Sequence, residues 1–204
     1  MATQRVLDFL ATRRPNGPRL VVDLDVVRDN FRAFEKAMPD SKIYYAVKAN
    51  PAPEILRLLA SMGSSFDCAS VAEIEMAMDA GASADRISYG NTIKKERDIL
   101  RAFELGIRLF AIDCVEEAEK IGRVAPGSKV FCRVLTDGEG AEWPLSRKFG
   151  CAPSMAIDVL RHAKALNLTP WGVSFHVGSQ QVNLDAWDRA LADAKMVFAT
   201  LAEE

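Results

Sequence analysis

Residues 42–70 read KIYYAVKANPAPEILRLLASMGSSFDCAS. A short apolar and aromatic run ends on Lys48, Asn50 and Pro51 turn the chain, an amphipathic segment follows, and Gly63 stops it before a second short run. Runs of this length bounded by turn residues suit buried strands, and the three- and four-residue spacing between them suits a helix. The stretch is therefore predicted to be strand, helix, strand. The rhythm recurs at roughly 20 to 25 residues, with further strands expected at RISYGN (86–91), IRLFAID (107–113), KVFCRVL (129–135) and WGVSFHVGS (171–179). Strands alternating with helices at that period form a parallel sheet, either doubly wound and open or wound into a (β/α)8 barrel. No G-x-G-x-x-G follows the first strand, which removes support for the dinucleotide-binding open sheet.

The expected fold class is α/β, a TIM-type (β/α)8 barrel forming a cofactor-binding domain. About six βα units are legible where a barrel has eight in about 250 residues, so the barrel is expected to be incomplete in this chain. Residues 26–204 form this partial barrel, and residues 1–25 lead in with a helix and a strand, RLVVD, that belongs to a different sheet. Helix ends are marked locally. Ser70 and Glu73 have capping-box spacing at the start of SVAEIEMAMDAG, and Gly81 is placed to end it. The last helix follows Asn183 as cap and carries Leu184, Trp187, Leu191, Ala194, Phe198 and Leu201 on the face expected to pack.

Composition narrows the functional classes. The chain has 204 residues, of which 49% are hydrophobic and 26% charged, as in a soluble globular domain with a real core. Its 26 basic and 28 acidic side chains are dispersed and give a net charge of -2, which advertises neither nucleic acid nor an anionic membrane. No stretch approaches the roughly 20 apolar residues of a membrane span, and Asp8 in the opening segment counts against a transit peptide. The four cysteines, Cys68, Cys114, Cys132 and Cys151, have no zinc-ligand spacing and read as reduced thiols of a cytoplasmic protein. A small molecule is the expected partner.

In a barrel the reactive groups collect at the C-terminal ends of the strands. Those ends supply Lys48, Asp67, Asn91, Asp113, Arg133 and His176, with Ser179 just beyond. If Tyr44, Tyr45 and Val47 desolvate it, Lys48 is a nucleophile for an aldehyde, and the natural aldehyde is pyridoxal phosphate. Spacing equally allows a lysine that snorkels to solvent. His176 can stack on an aromatic cofactor or be a satisfied core histidine. Ser179 can bind an anion or begin a turn. Asp67 and Arg133 are costly to bury without partners. Glu73 is explained by the cap alone, with a place in a cofactor pocket as the alternative. The polar connection TDGEGAEWPLSRKFG (136–150) reads as a lid or contact surface.

Taken in order, YYAVKAN, SSFDCASVAEIE, ISYGNTIK, FCRVLTD, LSRKFG and VSFHVGSQ resemble the pyridoxal-phosphate-dependent, alanine-racemase-like decarboxylases, most of all the ornithine decarboxylase branch. The resemblance runs from about Arg19 to about Gln180. It implies an N-terminal barrel, a C-terminal β-domain with which residues 1–25 associate, and a head-to-tail homodimer that completes the sites. It matches Lys48 to the lysine that carries the cofactor, His176 to the imidazole stacked on it, and Ser179 to a phosphate-binding serine. Asp67, Glu73 and Arg133 match polar positions of the pocket, and Lys148 a lysine near the interface and the site. The activity implied is decarboxylation of a basic amino acid, ornithine or lysine or both, to a diamine for polyamine biosynthesis, with diaminopimelate and arginine behind them. Several family features have no match here: the glycine-rich phosphate loop, the acid facing the pyridine nitrogen, the proton-donating cysteine and the aspartates for the distal amine. A barrel missing its last units would expose strand edges and apolar helix faces, so the chain alone is expected to have little or no activity. Two alternatives keep the fold, namely a single-domain protein that manages pyridoxal phosphate supply and a catalytically silent homologue that binds a regulatory protein.

Overall fold

The computed structural model describes residues 2–13, 16–143 and 148–203. Helices α1 (Gln4–Thr12) and α2 (Leu24–Ala37) precede the first strand. Then come β1 (Tyr44–Ala46), α3 (Pro53–Ser61), β2 (Ser65–Cys68), α4 (Val71–Asp79), β3 (Ile87–Tyr89), α5 (Glu96–Glu104), β4 (Leu109–Ile112), α6 (Val115–Val124) and β5 (Lys129–Arg133). The chain continues through β6 (Ala141–Trp143), α7 (Pro153–Ala165), β7 (Thr169–Ser174), β8 (Ser179–Gln181) and α8 (Asp185–Ala202).

Six strands form one parallel sheet in the order β1-β2-β3-β4-β5-β7. A doubly wound sheet reverses its strand order at a switch point, whereas here each strand simply adds beyond the last. That monotonic order decides between the two architectures left open by the sequence, in favour of the barrel. The registers carry one layer across the sheet: Ala46 lies beside Asp67, and Asp67 beside Ser88. Period two then sends Phe66 and Cys68 to the opposite face from Asp67, and both are buried in the core with Ile74, Ile99, Ile121 and Ala163 of the helices.

Local signals account for the boundaries. Ser70 accepts from the Glu73 amide at 3.3 Å and caps α4, while Gly63 and Gly81 end α3 and α4 with φ of 89° and 102°. The strands are shorter than the apolar runs suggest. β1 stops at Ala46, because Val47–Ala49 forms a single 3-10 turn and Asn50 then turns the chain, accepting from the Ala52 amide at 3.1 Å. Thr136–Gly150 is not wholly irregular either. Its first limb makes β6, antiparallel to β8, and Gln181 Nε2 reaches Glu139 O at 3.0 Å. Of LSRKFG, residues 145–147 lie outside the described residues.

RLVVD forms no strand within the described residues, and Leu20 and Val22 stand exposed. One expectation is corrected. α8 buries Ala186, Ala190, Ala194 and Val197, leaving Leu184, Trp187, Leu191 and Phe198 exposed. The apolar face chosen from side-chain size is mostly the outer one. The helix packs through small residues, whose four-residue spacing allows close approach to α7 and β7.

Candidate active site

Lys48 occupies the 3-10 turn after β1, and it is exposed. The expectation of a desolvated amine fails for a geometric reason. The turn sends Val47 into the core and Lys48 out to the mouth, with Tyr44 and Tyr45 only half-buried. Among the described residues the Lys48 amine has neither hydrogen bond nor ion pair. Its charge is nevertheless felt at both Asp67 and His176.

Asp67 faces the mouth from β2. Burial pushes its carboxyl above the usual carboxylate range and Glu73 adds to the push, while the Ser88 hydrogen bond and the charges of Lys48 and Arg133 oppose it. Ser88 Oγ donates to Asp67 Oδ1 at 2.7 Å. Arg133 ends β5, and burial lowers its pKa against the pull of Asp113 and Asp67. Its guanidinium carbon lies 5.7 Å from the centre of the Phe149 ring. Lys148 is exposed with its amine 5.3 Å from that same ring, so Phe149 brings the far limb of the 136–150 connection to the Arg133 side. Asp113 Oδ2 accepts from Gly150 N at 2.9 Å and fixes this return.

His176 follows β7. Its Nδ1 accepts from Gly178 N at 3.0 Å, a bond that leaves the ring proton on Nε2. Burial first, then Arg133 and Lys48, hold its pKa below the usual imidazole value and favour the neutral ring. Thr136 Oγ1 donates to His176 O at 2.5 Å, which ties this segment to the start of the connection. Gly178 takes φ of 105°, where a side chain would be strained, and Ser179 then opens β8 half-buried. Glu73 has a defined structural task. Its Oε2 accepts from Ala69 N at 2.7 Å while Ser70 accepts from its amide, one residue away from a reciprocal capping box.

The structure thus gathers Lys48, Asp67, Arg133 and His176 within one electrostatic neighbourhood, with Ser179 at the next strand start and Lys148 beside Phe149. Sequence reading missed Ser88 and Gly90. A serine flanked by buried Ile87 and Tyr89 in the strand ISY was the available signal. This donor set fits pyridoxal phosphate. Its aldehyde needs an uncommitted primary amine, its anionic groups need cations and hydroxyls, and its flat ring suits a neutral imidazole. Among the described residues no group of His, Cys, Asp and Glu could hold a metal ion, and no helix is long and apolar enough to cross a membrane.

A singly wound parallel βα sheet with an amine, a carboxyl, a guanidinium and an imidazole at the C-terminal ends of its strands defines a barrel-type cofactor-binding domain. Residues 24–204 match the family model described as pyridoxal-dependent decarboxylase, pyridoxal binding domain. The chain belongs to that family, and pyridoxal phosphate is its cofactor. It is 36% identical over 196 residues to the lysine/ornithine decarboxylase of Selenomonas ruminantium, covering 96% of this chain and 50% of that protein. It is 39% identical over 184 residues to antizyme inhibitor 2 of Xenopus laevis, covering 90% of this chain and 40% of that one. Among solved structures, the arginine decarboxylase of Paramecium bursaria Chlorella virus superposes with a TM-score of 0.90 at 30% identity, covering 96% of this chain and 53% of that chain. The chain thus spans about half the length of these relatives, or less.

Proposed function

We propose that the chain is the cofactor-binding part of a decarboxylase acting on a basic amino acid, ornithine or lysine, and releasing a diamine. The observation that carries this reading is Lys48, an exposed and unpaired amine held at the barrel mouth beside Asp67, Arg133 and His176. Pyridoxal phosphate supplies a ring that withdraws electrons from the α-carbon of a bound amino acid, which lets the carboxylate leave as carbon dioxide. Lys48 would be the amine that holds the cofactor through its aldehyde carbon. Asp67 offsets positive charge beside Lys48. Neutral His176, with its proton on Nε2, provides a flat face without adding a cation to the site. Ser179 and Arg133 serve the cofactor's anionic groups. Lys148 lies toward a second subunit in a head-to-tail homodimer, and the protein works in the cytoplasm as part of polyamine biosynthesis.

Support for the substrate class comes from relatives named for lysine, ornithine and arginine decarboxylation. Borohydride reduction of the cofactor-loaded full-length protein should fix the cofactor on Lys48, and an amine-release assay on ornithine, lysine, arginine and diaminopimelate should rank ornithine or lysine first. A cofactor trapped on another residue would sink the site assignment. His176→Ala should lower kcat more than it weakens cofactor binding, and an unchanged kcat would remove His176 from the reaction. A second reading, a non-catalytic binding protein, is favoured by the likeness to a relative named for inhibiting antizyme. Absence of both trapping and amine release would favour it.

A further inference from the structure

Asp67 is held from two sides by residues with no assigned role. Across β2 and β3, Asp67 and Ser88 are direct register partners, so their side chains share a face. Ser88 is buried at 4% exposure, and its hydroxyl donates to Asp67 Oδ1 at 2.7 Å. On the other side the carboxylate lies against the backbone of Gly90. A Cβ at position 90 would stand 2.0 Å from Asp67 Oδ1 and 2.6 Å from Cγ and Oδ2. Gly90 is itself pinned, its amide donating to Cys68 O at 2.9 Å. With the backbone at 90 pinned, a side chain there makes room only if the Asp67 carboxylate leaves its place beside Ser88. A buried serine in a strand whose neighbours Ile87 and Tyr89 are core residues needs a polar partner, and the partner it has is the mouth's carboxylate.

We propose that Ser88 is a positioning residue of the cofactor site: with Gly90 leaving the space, its hydroxyl fixes Asp67 through Oδ1, so that Oδ2 stays available to the cationic groups of the mouth. The inference deepens the proposed function and rests on Lys48 being the cofactor-bearing amine. A hydroxyl donor favours the ionised carboxyl, so removing it should leave Asp67 protonated to a higher pH. The role of Gly90 follows from space alone, since an alanine there evicts the carboxylate from its seat.

The test uses the full-length protein and measures pyridoxal phosphate affinity by absorbance across pH for wild type, Ser88→Ala, Ser88→Thr, Asp67→Asn and the Ser88→Ala/Asp67→Asn double variant. Ser88→Ala should weaken cofactor binding about tenfold at pH 7 and move the acid limb of the affinity profile to higher pH, while Ser88→Thr, which keeps the donor, stays within about twofold of wild type. Adding Ser88→Ala to Asp67→Asn should cost nothing further. An unmoved acid limb in Ser88→Ala, or additive losses in the double variant, would show that the serine is only a buried hydroxyl of the sheet. Borohydride trapping in the wild type checks the underlying site separately. If Lys48 is not trapped, the Asp67 carboxyl carbon titrated by NMR in cofactor-free wild type and Ser88→Ala still decides. A common midpoint would overturn the positioning role, and a higher midpoint in Ser88→Ala would uphold it.

Discussion

Two lysines follow strands of the same sheet and meet opposite fates. Lys48, after β1, is exposed and unpaired among the described residues. Lys94, between β3 and α5, has a side chain with 0% exposure. All three of its donors are committed, to Asn91 O at 2.9 Å, Ala111 O at 2.6 Å and Glu117 Oε1 at 2.9 Å. Glu117 is just as occupied, since it also accepts from Lys94 N at 3.1 Å and pairs with Lys120 at 2.5 Å. Burial pushes the Lys94 amine down to about 8. By the rule that desolvated amines make nucleophiles, Lys94 would be the candidate. The rule misleads here because its protons are already held. Lys94 instead ties the loop after β3 to β4 and α6, where the pairing of β3 with β4 shows the single register pair Tyr89 with Phe110. On the proposed function, chemistry goes to the amine that is free, and structure to the one that is buried.

The sharpest test exchanges the two losses. Lys48→Met should reduce cofactor trapping to background, the largest effect expected, and leave the thermal midpoint of the cofactor-free protein unchanged. Lys94→Met should do the reverse. Removing one member of a buried pair strands the charge of the other, which costs about 3–5 kcal/mol, moderated here by Lys120. Denaturant titration would show it as a lowered midpoint, with most of the loss recovered in Lys94→Met/Glu117→Met. A Lys94→Met protein of wild-type stability would dissolve the contrast between the two lysines.

The sequence makes the first half of this contrast readable and hides the second. Lys48, Asp67, Arg133 and His176 lie at strand ends, where the barrel rule looks, and local periodicity sufficed to find the strands. Lys94 sits in GNTIKK, a polar loop after β3 with nothing to mark burial, because two of its three acceptors come from β4 and α6, 17 and 23 residues away. Ser88 and Gly90 were missed for the same reason, since their meaning depends on the register with β2. On α8 the side-chain pattern was right for Ala194 and Leu201, which pack inward, and missed that Leu184, Trp187, Leu191 and Phe198 stand exposed while Ala186 and Ala190 make the contact. Pairing, register and close approach are tertiary facts, and the motif LSRKFG shows nothing of the Phe149 ring that lies near both Arg133 and Lys148.

The carboxylates sharpen the comparison in turn, because Asp67 is to Lys48 what Glu117 is to Lys94, but without a direct ion pair. Its raised pKa means that the folded state binds more protons than the unfolded state between the unfolded carboxyl value and the raised folded one. Stability of the cofactor-free protein therefore falls as pH rises through that window and stays lowered above it. Asp67→Asn should remove the penalty, giving a denaturant midpoint above wild type at pH 7, a gain of about 1 kcal/mol, and little difference at acid pH. Glu117→Gln should destabilise at pH 7. If Asp67→Asn also destabilises at neutral pH, then Asp67 is as structurally committed as Glu117.

Glu73 offers the smallest and most discriminating change. Its carboxylate accepts from Ala69 N at 2.7 Å, and a glutamine oxygen can accept the same bond, so Glu73→Gln keeps the end of α4 intact. Stability should move by no more than about 0.5 kcal/mol, as for a substitution that preserves its hydrogen bond. Yet the charge of Glu73 is one of the influences raising the Asp67 carboxyl. Its removal should lower the pH at which Asp67 titrates, the opposite direction from Ser88→Ala. NMR titration of the Asp67 carboxyl carbon in cofactor-free Glu73→Gln would read this directly. A shift with unchanged cofactor affinity would make Glu73 a cap whose charge reaches the mouth. A large loss of affinity would place Glu73 with Asp67 and Arg133 against the cofactor, so that the mouth of the barrel extends into the first turn of α4.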